Sequence, residues 1–312
     1  MLAIVNVILP VFAIMAAGYA CGRLGILGEG SSQALNAFVF YVALPALFFI
    51  AMAQVPVSEA LNLPFIAAYM GGILAVFALA MVIATFLFPN RPSALALHGL
   101  SAVFSNTGYM GIPLLLVAYG DPARMPGIIS TVINGAVLVG LITIIMEIDH
   151  AAGQRPLAIV GKVLSGVFKS PLIISAIAGL TASALQVPIP TAVETFCNLL
   201  GVTAGPCALF AIGLFMVGKS VTTGLPEVLW VTILKLIAQP LVTYWLAYYL
   251  LPLSPVEAAS AVVLAALPTG ALTFVLAQRY EVYLQRSVAV ILISTVASIF
   301  SLSALFIYLE IG

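Results

Sequence analysis

The sequence predicts an all-α polytopic membrane protein. Three observations lead there: 63% of the 312 residues are hydrophobic, only 6% are charged, and the apolar residues come in long unbroken runs. An ordinary soluble domain carries about 25% charged residues, so a soluble enzyme, a nucleic-acid binder and a disordered chain are excluded. Continuous runs without polar alternation exclude a membrane β-barrel. A helix needs about 20 apolar residues to cross a bilayer, which leaves room for about ten spans.

Polar, proline and glycine breaks place those spans near 2–21, 32–53, 63–88, 95–118, 126–147, 169–185, 191–217, 226–250, 257–277 and 287–309. The first has no basic leader, and its run from Leu2 to Ala20 is longer than the apolar core of a signal peptide, so it reads as a retained helix. The widest polar break, 149–168, separates a first five-helix unit (1–148) from a second (169–312). Within it Val160, Val163, Leu164 and Val167 share one helical face, as in a helix lying on the membrane surface. Cys21, Cys197 and Cys207 lie in or beside apolar runs and form neither a metal-ligand pattern nor a disulfide framework. No metal or cofactor is expected.

Arg23, Arg91, Arg155, Lys162, Lys169, Lys219, Arg279 and Arg286 all fall after odd-numbered spans, whereas the opposite side has only Arg124. The positive-inside rule then makes those loops cytoplasmic and puts both termini outside.

The halves match at a slowly drifting offset. Pro10, Gly18 and Pro45 align with Pro171, Gly179 and Pro206; Leu63-Pro64 with Leu225-Pro226; Thr107-Gly108 with Thr269-Gly270; and Ser130-Thr131-Val132 with Ser294-Thr295-Val296. With five helices in each half, the second must insert inverted. Inverted repeats are a signature of secondary transporters, whose sites lie near midplane on broken helices.

Span 4 carries Ser105-Asn106-Thr107-Gly108-Tyr109-Met110-Gly111-Ile112-Pro113, and span 9 carries Leu267-Pro268-Thr269-Gly270 at the matching place. Proline removes a backbone donor and glycine frees the chain from helical geometry. Unpaired backbone groups at that depth are tolerated only around a polar cavity or ligand. Two facing breaks would bring positive half-helix ends together and favour an anion. Substrate contacts are therefore expected from Asn106, Thr107, Gly108, Pro268, Thr269 and Gly270, with Gly111, Pro113 and Pro268 as crossover hinges.

Lys235 is the one charged residue in the middle of a span, and no carboxylate lies at its depth. A charge there is costly unless compensated. It reads as the partner of a substrate anion, as a group acting through its protonation, or as a lysine bonded to carbonyls opened by Pro240, with Gln239 beside it on the same cavity. Asn134 reads as interhelical glue and His98 as a packing or interfacial residue. The lack of core acids disfavours proton or sodium coupling, though a protonatable Lys235 or a carbonyl-built sodium site leaves it open. Motifs for an intramembrane protease or a Walker-type pump are absent, and a channel would show charge rings or filter repeats.

Four stretches carry a resemblance: Asn106 to Leu115 with Tyr119-Gly120, Ala265 to Val282, Ala208 to Met216, and Val42 to Phe49. On these, and across all ten spans, the chain resembles the auxin efflux carrier family, which includes the plant PIN proteins and many bacterial transporters. The resemblance implies two inverted five-helix repeats, broken helices 4 and 9 crossing at their breaks, and a substrate carboxylate beside Asn106. It also implies a scaffold of helices 1, 2, 6 and 7, homodimeric through helices 2 and 7, and a moving domain of helices 3–5 and 8–10. Plant members have proline before the asparagine and glutamine in place of Thr269, so polar contacts differ from those for auxin. Bacterial members are linked to malonate and other small carboxylates.

The expectation is a non-enzymatic, multi-pass carrier of a small carboxylate in lipid, in a bacterial inner membrane, working by alternating access and driven by potential or coupling. The alternatives are a sodium- or proton-coupled symporter of a larger amphipathic solute, and a non-transporting membrane sensor.

Overall fold

The computed structural model describes residues 9–28, 30–54, 56–57, 61–150, 161, 169–218 and 224–309. Val160, Val163, Leu164 and Val167 of the expected surface helix lie outside the described residues. Those described are helical throughout, with no strand beyond one isolated bridge. In chain order the helices are α1 (Leu9–Arg23), α2 (Ser31–Ala53), α3 (Leu63–Leu87), α4 (Pro92–Val103), α5 (Thr107–Tyr119) and α6 (Asp121–Met146). Then come α7 (Pro171–Ala184), α8 (Thr191–Met216), α9 (Leu225–Leu250), α10 (Pro255–Ala266), α11 (Leu272–Arg279) and α12 (Leu284–Tyr308). Six of them (α2, α3, α6, α8, α9 and α12) are long and apolar enough to cross a membrane, and α1, α5, α7 and α10 are shorter apolar helices.

Local sequence explains the ends and bends. Asn62 caps α3, its side chain accepting from Phe65 N at 3.0 Å, with Pro64 in the first turn where no donor is needed. Ser254 and Glu257 form a capping box on α10, and the Glu257 carboxylate also accepts from the Asn62 amide, tying the two starts together. The Asp149 carboxylate accepts from Ser93 N at the start of α4. Pro45 and Pro206 distort α2 and α8 at matching places. A proline ring clashes with the carbonyl four residues back, and here α2 widens over Val39–Ala43 while α8 is interrupted at Val202 and Thr203.

Packing relies on small residues, because in lipid close backbone approach replaces the hydrophobic drive between helices. A Cβ on Gly213 would sit 1.9 Å from the Met15 carbonyl oxygen, and one on Gly18 would sit 2.1 Å from that of Phe210. These fix α1 against the second half of α8. Gly213→Leu should therefore force the helices apart and abolish a monodisperse peak in size-exclusion chromatography; an unchanged elution profile and melting temperature would contradict this contact.

One apolar core gathers Phe65, Tyr69, Leu97, Leu100, Leu264 and Phe306, and a second gathers Leu44, Phe48, Ile112, Ile128, Leu172 and Ala208. Outside them large apolar side chains face outward, Phe86 at 81% and Phe300 at 75% exposure. Water would not tolerate so many, and lipid does.

Candidate substrate site at two crossed helix breaks

The chain leaves helical geometry at Phe104–Asn106 and again at Leu267–Ala271. The second break follows from Pro268, which drives the preceding Leu267 to an extended ψ of 153°. The first contains no proline. It is held open by pairing: Asn106 N donates to Pro268 O at 3.0 Å and Gly270 N to Phe104 O at 2.9 Å, around an antiparallel bridge between Ser105 and Thr269. Glycine is required at 270, since a Cβ there would meet the Phe104 ring at 2.8 Å. The two broken helices thus cross where their extended segments satisfy each other.

The remaining backbone groups are met by side chains. Gln239 Nε2 donates to Val103 O at 3.0 Å, and Lys235 Nζ donates to Ala265 O at 2.6 Å. Four residues apart, they share one face of α9 and clamp the last carbonyls of α4 and α10, groups with no partner inside their own helices. Thr269 Oγ1 donates to Ser101 O at 2.8 Å, and Thr269 N donates to Ser294 Oγ at 3.1 Å. On the other side Asn134 Nδ2 reaches Ser105 O at 3.0 Å and Thr107 Oγ1 at 3.2 Å, with Thr131 Oγ1 3.0 Å from Thr107 Oγ1. Tyr69 closes this network through its hydroxyl on Asn134.

A cavity of about 420 Å³ opens beside the first break. Asn106, Thr107, Gly108 and Gly270 form its inner end, Phe40, Leu44, Tyr109, Leu272 and Val275 give it apolar walls, and Asn36, Thr143, Ser170 and Arg279 also line it. Among the described residues the Asn106 carboxamide has no hydrogen-bond partner, and the backbone N–H groups of Gly108, Tyr109 and Leu272 have no carbonyl partner. These donors, at the N-terminal ends of α5 and α11, can receive an anionic oxygen.

Four of the expected residues therefore meet at the cavity. Pro268 and Thr269 lie behind it, in the pairing. Lys235 and Gln239 do not line it; both are fully buried behind the crossover on backbone carbonyls. The lysine's carbonyl belongs to Ala265 on α10, not to a turn opened by Pro240. Gly111 packs on Leu264 and Leu267 at the end of a widened turn over Thr107–Gly111, and Pro113 follows it against Gly205. Pro113 has no N–H to donate and its ring clashes with the carbonyl four residues back, in keeping with the widening of α5 over Thr107–Gly111, as at Pro45 in α2.

Sequence reasoning missed Thr131 and Ser294 as supports and Arg279 as a lining residue. A signal existed for the first two: the matched Ser-Thr-Val triplets put one hydroxyl beside each break.

His98 and Glu227 belong to a second polar cluster. Glu227 stands in the first turn of α9, at a span end as its position suggested, but is only 6% exposed. Its carboxylate accepts from Tyr283 Oη at 2.8 Å, meets His98 Nδ1 at 2.8 Å and pairs with Arg286 at 3.1 Å. Burial, then the neighbouring Glu227 charge, push the Tyr283 phenol well above its ordinary range, so it remains a donor. The cluster ties α4, α9 and α12 together.

Residues 3–306 match the family model described as "Membrane transport protein". The chain is 30% identical over 309 residues to a protein of Rhizobium meliloti named "Putative malonate transporter", covering 99% of this chain and 97% of that one. It is 23% identical to "Uncharacterized transporter MJ1031" of Methanocaldococcus jannaschii, over 94% of this chain and 95% of the relative. It is 29% identical over 224 residues to "Lysosomal cholesterol signaling protein" of Mus musculus, over 68% of this chain and 26% of that one. With apolar helices throughout and the match running nearly end to end, the chain belongs to the membrane transport protein family, that of the auxin efflux carriers, and is an integral membrane transporter and not an enzyme.

Proposed function

We propose that the protein is a secondary transporter that moves a small organic carboxylate by alternating access, binding it at the crossover beside Asn106. The observation that carries this reading is the unpartnered Asn106 carboxamide at the inner end of the cavity, flanked by the free N–H groups of two half-helices. Unpartnered donors facing a cavity are filled by a ligand or by water, and several N–H groups converging at one end of it favour an anion. The name of the Rhizobium meliloti relative favours a malonate-like acid. In this reading Thr107, Gly108 and Gly270 shape the site, while Pro268, Thr269 and Gln239 hold the breaks in place. Lys235 adds positive potential from behind, and no cofactor or metal takes part.

The same proposal reads the chain as ten spans in two inverted repeats, 1–148 and 169–312, joined by 149–168, with α4/α5 and α10/α11 as broken spans. A reciprocal contact supports it: Gly18 abuts the Phe210 carbonyl and Gly179 abuts the Phe49 carbonyl, and each pair of equivalents is 161 residues apart. Both termini outside a bacterial inner membrane, and a homodimer through helices 2 and 7, complete the reading.

Transport is tested in proteoliposomes with labelled malonate, setting the membrane potential, pH and sodium gradients independently. Potential-driven uptake is expected; uptake indifferent to substrate charge would sink the anion reading. Lys235→Met should weaken apparent affinity several-fold, by removing a charge behind the site and the bond that holds the Ala265 carbonyl. An unchanged KM would remove Lys235 from the field acting on the substrate.

The His98–Glu227 cluster favours a second reading, proton coupling, because it places a buried imidazole against a buried carboxylate. Uptake driven by a pH gradient and lost in His98→Gln would establish it, and gradient-independent uptake would dismiss it.

A further inference from the structure

The residues lining the cavity include one charge, and it is not at the crossover. Arg279 ends α11, the half-helix that starts two residues after Gly270. Exposure rises along the cavity from Asn106 at 9% to Val275 at 51%, with Arg279 also exposed, so the arginine stands at the mouth. Among the described residues it makes no ion pair, and its neighbour is the Tyr280 ring, 5.5 Å from the guanidinium carbon. A cation at a helix C-terminus is favourable for any helix, so that placement alone explains nothing. What stands out is a guanidinium with no ion pair among the described residues, in the wall of a cavity whose other end holds donors that those residues leave unpartnered.

Seven steps of α-helical rise separate Leu272 from Arg279, about 10 Å along the axis. Side chains on a helix lean toward its N-terminus, which shortens that separation. The inner donors and the guanidinium therefore stand at opposite ends of α11, at different depths of the cavity.

We propose that Arg279 is a distinct anion-capture position: a small carboxylate docks on its guanidinium at the cavity mouth and then moves inward to Asn106. The proposal rests on the carboxylate reading of the cavity. Guanidinium offers a planar fork that fits one carboxylate with two bonds, and at an exposed mouth its charge raises the encounter rate. That contribution is screened by salt, because the Debye length falls from about 10 Å at 0.1 M to about 3 Å at 1 M.

The test uses purified full-length protein, with malonate, acetate and neutral malonamide as probes. It measures binding kinetics at low and high ionic strength, protection against heat, and malonate flux in proteoliposomes. Arg279→Gln should slow malonate association about tenfold at low salt and flatten its salt dependence, while Arg279→Lys keeps the salt dependence. Malonamide should not distinguish the variants. Wild-type association rate and salt slope in Arg279→Gln would overturn the capture position, and so would the lack of any Arg279-dependent anion effect. Malonate that protects the wild type but not Arg279→Gln, without any flux, would uphold Arg279 and sink the transport reading. Flux lost in Asn106→Ala but untouched by Arg279→Gln would do the reverse.

Discussion

Asn106→Asp should abolish carboxylate transport while leaving the protein folded. The two side chains have nearly the same shape, and the carboxamide makes no bond to the described residues that the substitution would break. The backbone bond from Asn106 N to Pro268 O is indifferent to the change. What changes is the sign of the site, because a donor becomes an acceptor-only anion facing an anionic ligand. A lost bond to a charged group is about 1.5–3 kcal/mol. Like charges in contact add several more, so affinity should fall more than about 100-fold. Asn106→Ala loses only the bond and should cost about 10- to 100-fold. Malonate uptake and equilibrium binding on the same preparations measure both. Transport within twofold of wild type in the Asp variant would show that no carboxylate approaches this residue.

The largest effect on stability is expected at Glu227→Gln. The carboxylate is buried against Arg286, His98 and Tyr283. The amide keeps the volume but removes the charge that balances Arg286 and one of the acceptor oxygens. Breaking a buried pair by removing one partner costs about 3–5 kcal/mol, because the other charge is left uncompensated. Arg286 keeps some access to solvent, its side chain 34% exposed, which puts the expectation at the lower end of that range. Thermal unfolding in detergent should show a clear fall in melting temperature, and Glu227→Gln combined with Arg286→Gln should recover part of it. An unshifted single variant would mean the cluster does not hold α4, α9 and α12 together.

Much of the architecture was legible in the chain. Length and continuity of apolar runs predicted the six long helices to within a few residues, since the bilayer sets one length scale for all of them. Pro268 announced the second break, because its effect on the preceding residue is local. The first break was legible only as a stretch, Ser105 to Pro113, and the chain leaves helical geometry at the start of it. Nothing local bends the chain at Phe104–Asn106; it is extended because it pairs with Pro268 and Gly270, 162 and 166 residues away. Lys235 was legible as unusual, but its partner was not, since a carbonyl acceptor on another helix leaves no mark in sequence.

The sequence by itself determined that this is a helical membrane protein with two interrupted helices, because hydropathy and proline act over one turn or one span. Only the tertiary structure decided what those interruptions do. Which carbonyl Lys235 satisfies, which donors stay free around Asn106, and which cation stands at the mouth all depend on distances between helices far apart in the chain.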